Sequence, residues 1–244
     1  EGGRLQPKAV VSAEGLGCSD FERGDARGGF LLNQHFTPQG AFLFEAEITV
    51  GGWAADQRKE HAGRLWDDMG INYGAKRPNT GLEVSLVQRA DGYWVPEVHF
   101  GMGTDTYRVK GKQIRLPRGT RTKYAVYFGA NGRVVVEFAG LVAEQSIPAS
   151  GSLAPSRGYR PVIGSRPVGN YANLDGFVRR IAFTPMKRDP FVFRTPERTA
   201  FVRGEKDAAL SIVAENRSEG PMTGVSIALE QFCAEGRVGR IETA

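Results

Sequence analysis

The amino-acid sequence predicts an all-β protein: an antiparallel jelly-roll β-sandwich followed by a partial second β domain. Three observations lead to this class. Apolar and polar residues alternate from Ala41 to Phe183 at the two-residue period of half-buried strands. The hairpin dipeptides Asp91-Gly92 and Asn131-Gly132 separate the alternating runs. No stretch of comparable length has helical periodicity, so the core is expected to lie between two sheets.

In each alternating run, every second residue is apolar and the residues between them are mostly polar, so each run has an apolar and a polar parity. In the first run, Phe42 and Phe44 have the parity of a core, whereas Glu45 and Glu47 have the opposite parity. The same division is found in four later runs, Leu82–Val87, Trp94–Phe100, Lys123–Phe128 and Arg133–Phe138. We expect the apolar parity to pack between the sheets and the polar parity to meet solvent. A short helix is predicted for Asp56–Ala62.

Composition sets broad limits on function. The chain has 244 residues, 41% hydrophobic and 24% charged, which are ordinary values for a globular protein. The net charge of +5 comes from basic residues spread along the chain, so we expect no nucleic-acid partner. No apolar stretch approaches the about 20 residues that a membrane span needs, so no span is expected.

A polar, proline-bracketed connection at Thr184–Pro190 predicts a domain boundary. We therefore assign residues 1–187 to the sandwich and residues 188–244 to a second β unit. Strands of the second unit are predicted within Thr199–Arg203, Ala208–Glu215 and Gly224–Phe232. Residues 188–244 are too few to form a closed immunoglobulin-like sandwich. This region is therefore either part of a domain or a set of strands that dock on the first unit.

Two segments near the end of the first unit, Val162–Ser165 and Leu174–Phe183, resemble the closing strands of a laminin-G-like, concanavalin A-like lectin/glucanase domain. The segment Tyr124–Gly140 resembles the central hairpin of that family, and Phe42–Val50 resembles an early core strand. The resemblance implies the sandwich fold and a carbohydrate ligand, although binders and hydrolases share this fold. The segment Phe193–Phe232 resembles the opening of an immunoglobulin-like module attached to secreted bacterial carbohydrate-active proteins.

The resemblance also implies a calcium site, although an important acidic pair of the family is replaced here. Arg179 and Arg180 stand where the family usually has two acids, and arginine cannot ligate a cation. Calcium is therefore possible only with other oxygen donors, of which the candidates are Asp20, Asp25 and Asp175. We expect no other cofactor.

Aromatic residues in or beside the predicted loops are candidates for stacking on sugar rings. Exposed aromatic faces bind the apolar side of a sugar, and loops on a rigid sandwich are common places for such sites. The candidates are Trp53, Trp66, Tyr73 and Tyr93. Trp94 shares the core parity of its strand, so we place it in the core.

A row of glutamates on the polar parity, with His99 and Arg108 near it, allows two interpretations. Two carboxylates across a cleft, about 5–9.5 Å apart, can hydrolyse a glycosidic bond. The same side chains can instead hydrogen-bond sugar hydroxyls without catalysis. Glu45-Ala46-Glu47 continues into Ile48, so it lacks the acids of the glucanase strand in the resembled family. The row consists of Glu45, Glu47, Glu83 and Glu97.

These features predict a non-catalytic carbohydrate-binding or adhesion module of a larger secreted protein, extracellular or periplasmic. Its expected partners are a glycan and other domains of a longer chain. One alternative is a glycoside hydrolase or lyase that uses the glutamate row. The other is a structural spacer or protein-interaction module. Cys18 and Cys233 lack the spacing of a disulfide framework, and we expect two unpaired thiols rather than a bridge.

Overall fold

The computed structural model describes most of the first unit and one strand pair of the second. The chain divides into two compact units, Glu1–Lys187 and Arg188–Ala244. The described residues include no helix that is long and apolar enough to cross a membrane. These described residues are 2–7, 9–18, 28–51, 60–69, 79–89, 91–103, 105–129, 131–148, 151–167, 173–186, 191–194 and 213–216.

All regular elements in the described part of the chain are strands, in agreement with the predicted class. In chain order they are β1 (Gly3–Leu5), β2 (Val10–Ser12), β3 (Gly15–Gly17), β4 (Phe30–Leu32), β5 (Ala41–Val50), β6 (Glu60–Asp67), β7 (Asn79–Arg89), β8 (Tyr93–Gly103), β9 (Thr106–Lys110), β10 (Ile114–Arg115), β11 (Arg121–Phe128), β12 (Arg133–Phe138), β13 (Leu141–Ser146), β14 (Val162–Ile163), β15 (Gly176–Met186), β16 (Phe191–Arg194) and β17 (Val213–Asn216).

The first unit is a sandwich of two antiparallel sheets, as the sequence predicts. Sheet A has eight strands in the order β1-β4-β14-β6-β7-β8-β10, with β9 also paired to β8. Sheet B has seven strands in the order β13-β12-β11-β5-β15-β3-β2. Strands distant in sequence are neighbours in both sheets. In sheet B, β3 pairs with β15, so the two ends of the unit are joined through long-range pairing.

The core lies between the two sheets and is formed by the apolar parity of each strand. From sheet B, Phe42, Phe44 and Tyr124 are at most 1% exposed, and from sheet A, Leu82 and Trp94 are at most 2% exposed. Full burial of each such side chain stabilises the fold by about 1.5–3 kcal/mol. The predicted core parity of these strands, including Trp94, is confirmed.

The two predicted hairpin turns are present. Gly92 and Gly132 have φ angles of 80° and 82°, in the left-handed region that glycine adopts without steric cost. The Asp91 carboxylate accepts the backbone N–H of Tyr93 at 3.3 Å, and the Asn131 side chain accepts that of Arg133 at 3.1 Å. These dipeptides therefore fix the β7–β8 and β11–β12 connections.

The structure corrects two predicted boundaries. The predicted helix Asp56–Ala62 overlaps β6, which already begins at Glu60, while residues 56–59 lie outside the described residues. The connection predicted to begin at Thr184 begins later, because β15 continues to Met186 and pairs Pro185 with Phe42 of β5. Proline is compatible with a strand where its missing N–H is not needed for the ladder.

In the second unit, β16 and β17 form an antiparallel pair from Phe191 opposite Asn216 to Arg194 opposite Val213. Strand β17 lies at the end of the predicted strand Ala208–Glu215, whereas β16 was not predicted. The other two predicted strands of this unit lie outside the described residues. The immunoglobulin-like character of the second unit stays a prediction.

Candidate binding face

The register of sheet A brings polar side chains into two rows across the outer face of β6, β7, β8 and β9. Residues that are paired across antiparallel strands point to the same side of the sheet. The first row consists of Asp67, Glu83, His99 and Arg108. The second row consists of Arg64, Ser85, Glu97 and Lys110. We call these two rows the charged face.

A β-bulge in β6 is what places Arg64 and Asp67 on the same side. On a regular strand, residues three apart point to opposite faces. The register of β6 against β7 shifts between Arg64 and Trp66, so one extra residue is accommodated there. Leu65 and Trp66 then belong to the core, and Asp67 returns to the outer face beside Glu83.

Two carboxylates and two guanidinium groups form the centre of the charged face. Arg64 Nε lies 3.1 Å from Glu83 Oε2 and 3.8 Å from Asp67 Oδ2. Arg166, from the segment after β14, places Nε 3.2 Å from Asp67 Oδ2 and Nη2 3.6 Å from Glu83 Oε2. His99 Nδ1 lies 3.2 Å from Glu83 Oε1. We call these five residues the buried cluster.

The side chains of the buried cluster are almost excluded from solvent. The side chains of Asp67 and Glu83 are 0% and 1% exposed, and those of Arg64 and Arg166 are 8% and 9% exposed. His99 is the most accessible member, at 14%. The prediction that Glu83 meets solvent is therefore wrong. Its carboxylate lies on the outer face of sheet A but is enclosed by Arg64, Arg166 and His99.

Burial and neighbouring charges shift the pKa values of the two carboxyls in opposite directions. Burial, supported by repulsion from Glu83, raises the pKa of Asp67 to about 7, although Arg166 and Arg64 oppose this shift. Burial also acts to raise the pKa of Glu83. The hydrogen bond from His99 and the positive charges around Glu83 outweigh burial, so the pKa of Glu83 is lowered.

Asp68 is a third buried carboxyl at the end of β6, and it has a structural role. It accepts the Thr37 hydroxyl at 2.5 Å and the backbone N–H of Leu82 at 2.6 Å. Burial raises the pKa of Asp68 to about 6, against the effect of these hydrogen bonds. Asp68 thus connects the segment before β5 to the start of β7.

Glu97 is the centre of the second row and is also buried, at 3% exposure, which corrects its predicted contact with solvent. Arg108 Nε donates to Glu97 Oε2 at 2.9 Å, and Lys110 Nζ lies 3.3 Å from Glu97 Oε1. The backbone carbonyl of Glu97 accepts the Tyr124 hydroxyl at 3.1 Å. One carboxylate is therefore shared by two cations.

Tyr93, predicted to contact a ligand, lies at the end of β8 on the same parity as Glu97 and His99. It is half-buried and is paired with Arg115 of β10. The Arg115 guanidinium lies 4.6 Å from the centroid of the Tyr93 ring, within the range of a cation–π contact. The structure thus places five predicted site residues on one face: Glu83, Tyr93, Glu97, His99 and Arg108.

The structure corrects the predicted exposure of Trp66. It was predicted to offer its ring to a ligand, but it is only 3% exposed. Its ring packs edge-on against Phe36 at 5.8 Å and against Phe183 at 4.7 Å between ring centroids. The extra residue accommodated at the β6 bulge turns Trp66 inward, and its aromatic faces are covered by the core.

The predicted glutamate row does not line one cleft. Glu45 and Glu47 lie on β5, on the outer face of sheet B, where Glu45 is exposed and Glu47 is ion-paired with Arg121. Glu83 and Glu97 lie on the outer face of sheet A. The outer faces of a sandwich point away from each other, so the two pairs cannot act on one substrate.

Four predicted residues, Trp53, Tyr73, Asp20 and Asp25, lie outside the described residues. The remaining calcium candidate, Asp175, is buried, and its backbone carbonyl accepts the N–H of Gly51 at 2.8 Å. Within the described ranges, no three His, Cys, Asp or Glu side chains form a group that could hold a metal ion.

Cys18 is a free thiol buried in the core, and burial raises its pKa to about 12. A thiol in this environment is a packing residue rather than a nucleophile. Cys233 lies outside the described residues, so the expectation that it is unpaired stays a prediction.

Three central residues of the charged face were not identified from the sequence: Arg64, Asp67 and Arg166. The available signal was the run Arg64-Leu65-Trp66-Asp67-Asp68, where three charges interrupt an apolar pattern. Arg166 lies in a Pro- and Gly-containing loop without any periodicity. Its contact with β6 and β7 comes from the pairing of β14 with β6, which joins segments about 100 residues apart in sequence.

No family model matches the chain, and no curated protein sequence matches it. Solved structures with a similar fold include the enzymatically active domain of tailspike protein 2 from bacteriophage CBA120. It has 15% identity and a TM-score of 0.49, over 75% of this chain and 28% of the tailspike chain. The chain thus spans just over a quarter of the tailspike's length.

Two carbohydrate-binding modules are also similar in structure. The module CBM66 from Bacillus subtilis has 12% identity and a TM-score of 0.41, over 75% of this chain and 96% of that one. The module CBM40 of a Ruminococcus gnavus sialidase, bound to α2,6-sialyllactose, has 12% identity and a TM-score of 0.42, over 75% and 91%. At this identity, an assignment of function has to come from the residues of this chain.

Proposed function

We propose that the chain is a non-catalytic carbohydrate-binding module whose binding site is the charged face of sheet A. The observation that carries the proposal is the presence of the buried cluster on the outer side of a sheet. Buried ion pairs contribute little net stability, because desolvation offsets their attraction. Such a network, in which the pKa values of two neighbouring carboxyls are shifted in opposite directions, is typical of functional sites.

The charged face offers a ligand exposed hydrogen-bond donors above buried acids. Arg108 and Lys110 can donate to hydroxyl and carboxylate oxygens, and their side chains are 49% and 53% exposed. His99 is the member of the buried cluster that remains partly accessible, at 14%. The ion pairs hold these groups in place before the ligand arrives, which reduces the entropy that binding has to overcome.

The geometry of Asp67 and Glu83 favours binding over hydrolysis. A glycosidase needs space between its two carboxyls for the glycosidic bond and, in inverting enzymes, for a water molecule. Here Arg64 and Arg166 each contact both carboxylates. The guanidinium groups therefore occupy the position that a substrate would need.

A glycoside hydrolase is the second candidate, because one observation favours it. Asp67, with a pKa of about 7, lies beside Glu83, whose pKa is lowered. Opposite shifts in a carboxyl pair are typical of a general acid and its anionic partner. Release of reducing sugar by the wild type, abolished in Asp67→Asn, would replace the binding proposal with this one.

Two further parts of the proposal depend on sequence resemblance. We propose that the first unit is laminin-G-like and that the second is immunoglobulin-like, within a longer secreted chain. An extracellular or periplasmic location follows from the proposed ligand, because polysaccharides are most abundant at cell surfaces. The other domains of such a chain would be the partners of this module.

A glycan array compared with two face-specific variants tests the proposal. We expect the wild type to bind at least one polysaccharide or oligosaccharide class. Arg108→Ala and Lys110→Ala should each weaken this binding about threefold to tenfold, because each removes an exposed charge-assisted hydrogen-bond donor. The matched control is Glu45→Ala, an exposed residue on the outer face of sheet B.

Two results would contradict the proposal. The first is the absence of binding to every glycan, which would favour a structural spacer or protein-interaction module. The second is an equal loss of binding in Glu45→Ala and Arg108→Ala, which would move the site away from the charged face. Circular dichroism of each variant separates loss of the site from loss of the fold.

A further inference from the structure

The charged face exposes one sign of charge to solvent. Its acids are buried, since the Glu83 and Glu97 side chains are 1% and 4% exposed and that of Asp67 is 0% exposed. Its outer cations are exposed, at 49% for the Arg108 side chain and 53% for Lys110. A molecule that approaches this face therefore meets positive charge, although the acids balance most of it within the protein.

The exposed cations lie in a line at the edge of sheet A. Arg108 is paired with His99, Lys110 with Glu97, and Arg115 with Tyr93, all along β8. At about 3.3 Å per residue, the backbone positions on β8 opposite these cations are about 7 Å and about 13 Å apart, over a total of about 20 Å. We call Arg108, Lys110 and Arg115 the basic track.

The basic track has more positive charge than its own acid can neutralise. Arg108 and Lys110 share the single carboxylate of Glu97. Arg115 contacts the Tyr93 ring and donates to the backbone carbonyl of Asp91 at 3.1 Å, while the Asp91 carboxylate is paired with another cation, Arg89, at 3.6 Å. Each of these three side chains is more than one-third exposed, so its charge is available to a ligand.

We propose that the basic track binds an acidic polysaccharide whose chain runs along β8. Carboxylate or sulfate groups of the glycan accept charge-assisted hydrogen bonds from Arg108, Lys110 and Arg115. Hydroxyls of the same sugar units accept hydrogen bonds from the same exposed cations. This inference rests on the proposed function, and it adds the charge of the ligand and the direction of its chain.

The track fits a polysaccharide better than a nucleic acid. Proteins that bind single strands combine a basic groove with several aromatic rings on which successive bases stack. Tyr93 is the one ring that the described residues place on the track, and Arg115 already lies over its face. Sugar units need no such stacking series, because their hydroxyls and acidic groups are recognised by the exposed cations themselves.

Binding to two matched pairs of immobilised polysaccharides tests the inference. The first pair is polygalacturonate and its carboxyl-reduced, neutral form. The second pair is dextran sulfate and dextran. We expect the acidic member of at least one pair to bind at least tenfold more tightly than its neutral partner, with an affinity that falls as the salt concentration rises.

Single substitutions along the track test the direction of the chain. Arg108→Gln, Lys110→Gln and Arg115→Gln should each weaken binding of the acidic polysaccharide about threefold to tenfold, because each removes one charged contact. Lys123→Gln is the matched control, since Lys123 is exposed on β11 at the outer face of sheet B and should have no effect. Thermal unfolding confirms that each variant is folded.

The outcomes separate the two proposals. Equal binding to acidic and neutral members, or binding to neutral members only, overturns this inference and leaves the proposed function intact. An unchanged affinity in Arg115→Gln overturns the proposed chain direction. Tighter binding of a single-stranded DNA oligonucleotide than of either acidic polysaccharide overturns the inference in favour of nucleic acid. Failure to bind these four polymers and every glycan on the array overturns both proposals.

Discussion

The two outer faces of the sandwich have the same sequence pattern but different electrostatics. On sheet B, Glu47 pairs with Arg121 and Glu144 pairs with Arg133, and at least 30% of each side chain is exposed. On sheet A, the carboxylates are almost completely buried among arginines. An alternating strand therefore tells us which side a glutamate is on, and tertiary packing decides whether water reaches it.

The difference has a large energetic consequence. An exposed ion pair contributes about 0–1 kcal/mol, because water and salt screen it. A buried pair that loses one partner leaves an uncompensated charge, which costs about 3–5 kcal/mol. The outer face of sheet B should therefore tolerate substitution, whereas the charged face should not. The predictions below start from the largest expected effect.

The largest effect is expected for Arg64→Met, which removes the guanidinium that lies 3.1 Å from Glu83. Glu83 would remain buried with less compensation, so we expect the free energy of unfolding to fall by about 3 kcal/mol. Urea denaturation followed by fluorescence of the core tryptophans measures this change.

The matched control for Arg64→Met is Arg121→Met on sheet B, where the same change removes an exposed pair with Glu47. We expect the control to lower the free energy of unfolding by less than about 1 kcal/mol. Equal effects in the two variants would show that the outer faces do not differ energetically, and would remove the premise of the comparison.

A smaller effect is expected from pH. The pKa of Asp67 is about 7 in the folded state, above its ordinary value of 3.8, so the folded state binds this proton more tightly. The resulting stabilisation is present at low pH and is lost as the pH rises from about 4 to about 7. We expect the free energy of unfolding to fall by about 2 kcal/mol between pH 5 and pH 7.

The lowered pKa of Glu83 has the opposite effect on stability. Ionised Glu83 adds to the free energy of unfolding, and this addition is lost only as the pH falls below 4.5, the ordinary pKa of a glutamate. Measurements from pH 5 upward therefore avoid the Glu83 contribution, and comparison with Asp67→Asn separates the Asp67 contribution from those of other groups, such as Asp68. Asp67→Asn should flatten the pH dependence, and Glu45→Gln should leave it unchanged. An unchanged slope in Asp67→Asn would mean that this carboxyl titrates at an ordinary pH.

Most of the fold could be predicted from alternation and turn chemistry. The parity of Phe42 and Phe44 identified the core side of β5, because a residue period of two is a direct consequence of strand geometry. Gly92 and Gly132 marked hairpins because their left-handed φ angles favour glycine. Both features depend on residues that are adjacent in the sequence, so they can be predicted without knowledge of the tertiary structure.

The site could be predicted only in part, because it depends on long-range pairing and on one irregularity. Glu83, Glu97 and His99 were identified by parity. Asp67 was missed because no strand was predicted over β6. Even on a regular strand it would face away from Arg64, and only the bulge brings the two together. The same bulge turns Trp66 into the core, whereas the sequence analysis placed it in or beside a loop, where its ring would be exposed.

The most direct test of the central claim is an NMR titration of the isotopically labelled protein with the glycan that it binds most tightly. If the charged face is the binding site, backbone amide shifts will concentrate in β8 and β9, around Glu97, His99 and Arg108. Amides of β5 and β11, around Glu47 and Lys123, will stay unchanged. Shifts that concentrate in β5 and β11 instead would contradict the account.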